Sequence, residues 1–265
     1  MALSQADWLA FCRRAADAAR EVVNGYAVAD RATETGRGEG GDMALVIDRA
    51  AEDAVFAELE ALGEPVTAVS EERGEVAIHG GGPVHVVIDP VDGSLNAKRG
   101  LPFAAVSIAV AEGGRMGDAI AGCVAEFDPR RDWWASRGEG AFRDGERLGP
   151  LEPGRLELVG LETARPDALA ASAELIGALG ADRVRALGSV AVTLCMVAAG
   201  ELDAMISLRE VRSVDAAAGQ LIVREAGGSV GFHADDSLSL DMRSRVAAAR
   251  DDDLLKHLLG HFAAG

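Results

Sequence analysis

Two carboxylates and a hydroxyl stand within six residues in Asp89-Pro90-Val91-Asp92-Gly93-Ser94. Carboxylates three residues apart can converge on a hard cation that takes oxygen ligands, and magnesium is the one that typically works with phosphate substrates. Gly93 and Ser94 follow where the backbone N–H groups of a short helix would face an anion. The stretch therefore describes a metal site joined to a phosphate site. Further acids lie at the ends of two other segments. Val69-Ser70-Glu71-Glu72-Arg73-Gly74 closes an apolar run, and Ser213-Val214-Asp215-Ala216-Ala217-Ala218-Gly219 puts an acid just before an amphipathic helix. Asp215 reads as an N-cap that can also be a ligand, one oxygen taking the backbone donor and the other a metal.

The elements that must carry these groups follow from periodicity. Val84, Val86, Val87 and Ile88 predict a strand buried on both faces, and Pro90, which has no N–H for a continuing ladder, predicts a turn there. Residues 4–24 space Trp8, Phe11, Cys12, Ala15, Ala19, Val22 and Val23 as the packing face of a helix, and a second helix is expected over 42–62. Between them, 30–41 is polar and glycine-rich. Gly36-Arg-Gly-Glu-Gly-Gly41 matches a dinucleotide fingerprint letter for letter, but charged Asp30-Arg-Ala-Thr-Glu34 stands where that fold needs a buried strand, so a mobile loop is expected. Strands are expected at 84–89, 105–111 and 119–125, the last two as a hairpin, and at Trp133-Trp134, which read as core up to a turn at Gly138. After Pro150 the pattern alternates: strand 157–161, helix 167–179, strand 183–186, helix 190–199, strand 202–207, helix 215–226. That alternation predicts an α/β half.

Asp89-Pro-Val-Asp-Gly-Ser-Leu-Asn96, continued by Gly100-Leu-Pro-Phe-Ala-Ala-Val-Ser-Ile-Ala109, resembles the signature of the inositol monophosphatase family of magnesium-dependent sugar-phosphate phosphatases. Val214-Asp215-Ala-Ala-Ala-Gly219 with Glu225-Ala-Gly-Gly228 resembles its second signature, with valine where tryptophan commonly precedes the aspartate. Asp42 to Asp48, Glu71-Glu72, Arg137-Gly-Glu-Gly-Ala-Phe142 and Gly188-Ser189-Val-Ala-Val are similar to four further elements of that family in the same order. The resemblance implies α+β and α/β layers stacked as the alternating α-β-α-β-α sandwich of the inositol monophosphatase/fructose-1,6-bisphosphatase type. An N-terminal half, 1–148, would carry Asp48, Glu71 and the Asp89–Ser94 motif, and a C-terminal half, 149–265, would carry Asp215, with the site between them.

The same resemblance implies the chemistry. Glu71, Asp89, Asp92 and Asp215, with the Val91 carbonyl, would hold two or three Mg2+ ions, and ions about 4 Å apart can clamp both the attacking and the leaving oxygen. Ser94 and Asp48 would activate the attacking water, and Glu72 would hold a metal-bound water. Phosphate would rest on the Gly93 and Ser94 N–H groups, and the rest of the substrate on Gly188, Ser189, an acid before Asp215, and Asp92 and Asp215 themselves. Counting back seven residues gives Leu208, so Ser207, Arg209 or Glu210 is the candidate, and Glu210 is the acid among them. Arg37 reads equally as a phosphate contact and as a solvated loop residue. Inositol 1-phosphate and fructose 1,6-bisphosphate are the expected substrates. A 3′(2′),5′-bisphosphate nucleotidase or histidinol-phosphatase is the alternative within the family, and a non-catalytic sugar-phosphate-binding regulator the alternative outside it.

Composition is consistent with this. A chain of 265 residues can bury a sizeable core, and a formal charge of −17 argues against a nucleic-acid or anionic-membrane surface. Cys12, Cys123 and Cys195 lie far apart without a Cys-x-x-Cys pair, which fits a reducing cytoplasm. No apolar run has the length of a membrane span, and no targeting segment is recognised at the amino terminus. The five histidines form no His-Glu-x-x-His element, and there is no Gly-x-Ser-x-Gly element. The expected partners are a small phosphorylated substrate and, by family resemblance, a second copy in a homodimer.

Overall fold

A computed structural model of the chain describes residues 3–40 and 43–262. Two long helices, α1 (Gln5–Gly25) and α2 (Val46–Leu62), flank a short hairpin of β1 (Glu34–Arg37) and β2 (Met43–Leu45). Then come β3 (Val66–Ser70), β4 (Gly74–Ile78), β5 (His85–Asp92), α3 (Ser94–Arg99), β6 (Ala105–Ala111), β7 (Ala119–Glu126), β8 (Asp132–Ser136), β9 (Gly140–Arg143) and β10 (Glu146–Arg147). The remainder is β11 (Leu158–Glu162), α4 (Pro166–Ala171), α5 (Ala173–Ala178), β12 (Arg183–Arg185), α6 (Val190–Ala198), β13 (Ala204–Ser207), α7 (Ser213–Glu225), β14 (Ser229–Phe232), β15 (Val246–Ala249) and α8 (Asp252–Gly260).

Strands β3 to β10 form one eight-stranded sheet in the order β10-β9-β8-β7-β6-β5-β3-β4, antiparallel except for the β3–β5 pair. Strands β11 to β15 form a second sheet in the order β12-β11-β13-β15-β14. Side-chain alternation sorts the cores. On β6, Val106, Ile108 and Val110 pack under α1 and α2, while Ala105, Ala109 and Ala111 face the layer of α6 and α7. That middle layer is apolar nearly all round, as a helix pair enclosed between two sheets must be. Val159, Leu161, Ala204 and Ile206 pack outward with Ala168, Leu179 and Leu258 from the α4, α5 and α8 side. The five layers are helices, sheet, helices, sheet, helices, as the family resemblance implied.

Several local expectations need correction. Residues 34–37 are a strand paired with 43–45, so the glycine-rich segment is hairpin rather than loop up to Gly40; Gly41 and Asp42, and with them the Asp42 end of the Asp-x5-Asp element, lie outside the described residues. Helix α2 begins at Val46, after that hairpin, and 167–179 is two short helices divided at Ser172. Strands β4, β14 and β15 and helix α8 were not anticipated. The Gly-x-Gly element is structural: the N–H groups of Gly138 and Gly140 each donate to the Glu225 carboxylate at 2.9 Å, tying the β8–β9 hairpin to the end of α7. Trp133 is core, with its indole N–H donating to Glu126 at 2.8 Å.

Candidate active site

The chain does not turn at Pro90. Strand β5 runs through it to Asp92, and the missing proline N–H is absorbed by a bulge: Asp89 pairs with Ser107 and Asp92 with Ala105, so three steps on β5 match two on β6. Residues an odd number apart on a regular strand face opposite sides. The extra residue cancels that, and Asp89 and Asp92 both come to the side that β6 turns toward α6 and α7, while Val91 drops into the core on the other side. Val91 N–H donates to Asp89 Oδ1 at 3.0 Å, which satisfies the bulge with the acid it positions.

Glu71 and Glu72 arrive from the neighbouring strand, since β3 runs parallel to β5 and Glu71 N–H continues the ladder to the Ile88 carbonyl. The turn beyond is held by Glu52, a buried acid of α2 that accepts from Ser70 and from the Arg73 backbone and side chain. Asp48 and Asp215 come from two helix starts by one device. Each is the third residue of its helix and accepts the backbone N–H of the residue preceding it, Leu45 at 2.6 Å and Arg212 at 2.8 Å. Asp215 is thus not the N-cap itself. Its second oxygen meets the Arg212 guanidinium at 3.1 Å, and the same guanidinium lies 2.6 Å from Glu71.

Ser94, the first residue of α3, lies 3.3 Å from Asp48 Oδ1 and 2.8 Å from the Val91 carbonyl. Before it, Gly93 has φ +85°, and a Cβ there would stand 2.7 Å from the Phe103 carbonyl and 3.2 Å from that of Gly188, so no other residue fits this close approach without displacement. Asp92 caps α6 from outside, accepting from the Ser189 hydroxyl at 2.7 Å and Ala191 N–H at 2.6 Å. Ser189 is therefore buried under Asp92 rather than presented to a ligand. Asp48, Glu71, Glu72, Asp89, Val91, Asp92, Gly93, Ser94, Gly188 and Arg212 line one cavity of about 360 Å3, with Met43 and Leu95 exposed at its edge. Glu210 is not among them; it lines a separate open surface with Arg209, Arg243 and Arg245. Leu208 and Ser207 are buried, with Ser207 accepting Val246 N–H. Arg37 is exposed on β1.

So many acids in one buried place hold their protons unusually well. Burial, then Asp215, pushes Asp92 up to about 7. Burial also pushes Asp48 up to about 7, against the Leu45 N–H, and Glu72 to about 8, where Glu71 and Asp48 add to it. Asp89 is raised well above the usual carboxylate range by burial and by Glu71. Burial works against the charge on Arg212, but Asp215, Glu71 and Asp89 outweigh it and raise its pKa. Glu72 Oε2 is buried without a hydrogen-bond partner.

This donor set fits a hard divalent cation. It is all carboxylate and carbonyl oxygen, with no thiol or imidazole, and an orphaned oxygen among acids that repel one another calls for positive charge. As the side chains stand, among the described residues no group of three or more His, Cys, Asp or Glu is arranged to hold an ion. Glu71 and Asp215 are turned onto Arg212 instead, and a metal would have to take them over.

The profile of the inositol monophosphatase family matches residues 4–264. The fructose-1,6-bisphosphatase/inositol-1-monophosphatase of Methanothermobacter thermautotrophicus is 34% identical over 243 residues, covering 84% of each chain. The Nus factor SuhB of Salmonella typhimurium is 35% identical over 228 residues, 82% of each. The crystal structure of an inositol monophosphatase-fructose 1,6 bisphosphatase superposes with a TM-score of 0.80 at 27% identity, covering 96% of this chain and 99% of the other. With a match over almost its full length and the acid-lined cavity at the family's motif, the chain belongs to the inositol monophosphatase family.

Proposed function

We propose that the chain is a Mg2+-dependent phosphomonoesterase for a small sugar or polyol phosphate, with inositol 1-phosphate and fructose 1,6-bisphosphate as the first candidates. The observation that carries this is the bulge at Pro90, which puts Asp89 and Asp92 on one face beside Glu71. Family membership and relatives with these activities support it.

Glu71, Asp89, Asp92 and Asp215, with the Val91 carbonyl, are the ligands in this reading. When bound, Mg2+ supplies charge neutralisation at the phosphate and lowers the pKa of the attacking water. Ser94 donates to Asp48, and an acid lifted to about 7 is suited to accept a proton near neutral pH, so the pair takes the proton of that water. Glu72, with its free Oε2, holds a water beside the ligands. The first N–H groups of α3, at Gly93 and Ser94, have no intrahelical partner and face the phosphate. Gly188 borders the alcohol side, and Ser189 acts through Asp92. Residues 1–148 and 149–265 form the two halves that meet at the site, and the protein works as a homodimer in the cytoplasm. Its three cysteines, buried and unpaired, suit a reducing compartment, and among the described residues no helix is long and apolar enough to cross a membrane.

The test is a substrate panel with phosphate release at millimolar Mg2+, including adenosine 3′,5′-bisphosphate and histidinol phosphate. Release from none of these esters would overturn the reading.

A further inference from the structure

Glu162 ends β11 and is 1% exposed, yet no motif singles it out. Its Oε1 accepts the Thr193 hydroxyl at 2.6 Å and the Leu187 N–H at 3.3 Å, and the Gly188 N–H also bonds to the carboxylate. From the opposite side, Asn96 of α3 donates to the Leu187 carbonyl at 2.8 Å and to the Phe103 carbonyl at 3.0 Å. Ser189 is fixed by Asp92. The segment 187–189, which carries Gly188 at φ +83°, is therefore gripped from the second sheet by Glu162 and from the phosphate turn by Asn96 and Asp92. Gly188 is the one residue of that segment lining the acid cavity, and its carbonyl faces Gly93.

A buried carboxylate is costly, and a cluster of buried groups all satisfied by one acid holds its backbone in a single arrangement. An apolar side chain at 162 would leave the Leu187 and Gly188 N–H groups unpaired beneath the cavity wall. Neither the sheet nor the core requires an acid here: the β11–β13 ladder is complete through the Glu162–Ser207 pair, and Leu161 supplies the core contact.

Resting on the phosphatase reading, we infer that Glu162 is a positioning residue for the alcohol part of the substrate: it sets the Gly188 backbone at a fixed distance from the phosphate turn, and so sets the width of the leaving-group side of the site. It touches neither substrate nor metal ligands and acts through Gly188.

The experiment compares Glu162→Ala and Glu162→Gln with the parent in three readouts: KM and kcat for the best polyol phosphate of the panel, the inhibition constant of inorganic phosphate, and hydrogen exchange of the 187–189 amides. Inorganic phosphate has no alcohol part, so its inhibition constant should stay within about twofold in Glu162→Ala while KM rises about tenfold and kcat changes by less than about threefold. The 187–189 amides should exchange faster. Glu162→Gln keeps an acceptor oxygen and should restore both KM and protection. A merely structural role would lower the melting temperature without splitting KM from the phosphate constant. Unchanged KM, a phosphate constant rising in step with KM, or unchanged amide protection would each overturn the inference. Should Glu162→Ala not fold, Thr193→Val, which removes the hydroxyl partner, must move KM in the same direction. If the parent hydrolyses no ester, the phosphatase reading falls while amide protection still decides whether Glu162 grips this segment.

Discussion

Asp89 and Asp92 are three residues apart on one strand and face the same side of the sheet, because the bulge between them adds one residue to β5. Without it one of them would point into the core beneath α1 and α2. Placement of the charge depends on that local irregularity.

Asp92→Asn isolates the charge from the placement. An amide oxygen can still accept from Ser189 and Ala191, so the α6 entrance persists and the unfolding transition should stay within a few degrees of the parent's. Catalysis should fall by about three orders of magnitude or more, since a buried ligand charge is gone. Phosphate release measured beside a thermal melt checks both halves, and near-parental kcat would contradict the assignment.

Arg212 is the cation that Glu71 and Asp215 share in the metal-free arrangement. Arg212→Gln leaves two buried acids without it and should cost about 3 kcal/mol in chelator. Saturating Mg2+ should stabilise this variant more than the parent, because the ion no longer has to displace a guanidinium. Melting curves with and without Mg2+ measure this; an equal Mg2+ increment in both proteins would argue against competition for the same carboxylates.

The raised acids set a pH dependence. Asp92 sits at about 7 and Glu72 at about 8 in the fold, against ordinary values of about 4. A folded-state pKa above the unfolded one stabilises fully below the unfolded value, and the contribution is lost as pH rises through the folded one. In chelator the melting temperature should therefore decline between about pH 4 and pH 8. Mg2+ should flatten that decline by neutralising the site acids. A metal-free melting temperature that rises from pH 5 to pH 8 would contradict it.

Gly93→Ala tests the turn. At φ +85° with a carbonyl 2.7 Å from the new Cβ, alanine is strained in both dihedral and space. A destabilisation of about 2 kcal/mol with loss of activity is expected, and a parental melt with parental turnover would show that the turn has room to adjust.

Much of this site was legible from the residues. Asp89, Asp92, Glu71 and Ser94 were named by type and spacing, and strand 105–111 coincides with β6, because buried apolar runs and acids at strand ends are local signals. What escaped depends on distant partners. Pro90 signals a break, and only the pairing with β6 decides between a turn and a bulge. Strand β15, Val246–Ala249, is nearly all alanine and has no strand propensity of its own; β13 and β14 on either side make it a strand. Glu162 follows four apolar or glycine positions, and its partners Leu187 and Thr193 lie far along the chain, so nothing local marks it. Counting back from Asp215 gives Leu208, which is buried, and the nearby acid Glu210 lines an arginine-rich surface instead of the acid cavity, a difference set by the pairing of Val211 with Ser244 far along the chain and invisible to a count.

The most direct test of the central claim is phosphate release from inositol 1-phosphate and fructose 1,6-bisphosphate by the intact protein, measured at millimolar Mg2+, in excess chelator, and after Mg2+ is restored. Release that appears with Mg2+, vanishes in chelator and returns on restoration is the predicted result. Undiminished release in chelator would contradict the metal-dependent account of the Asp89–Asp92 site.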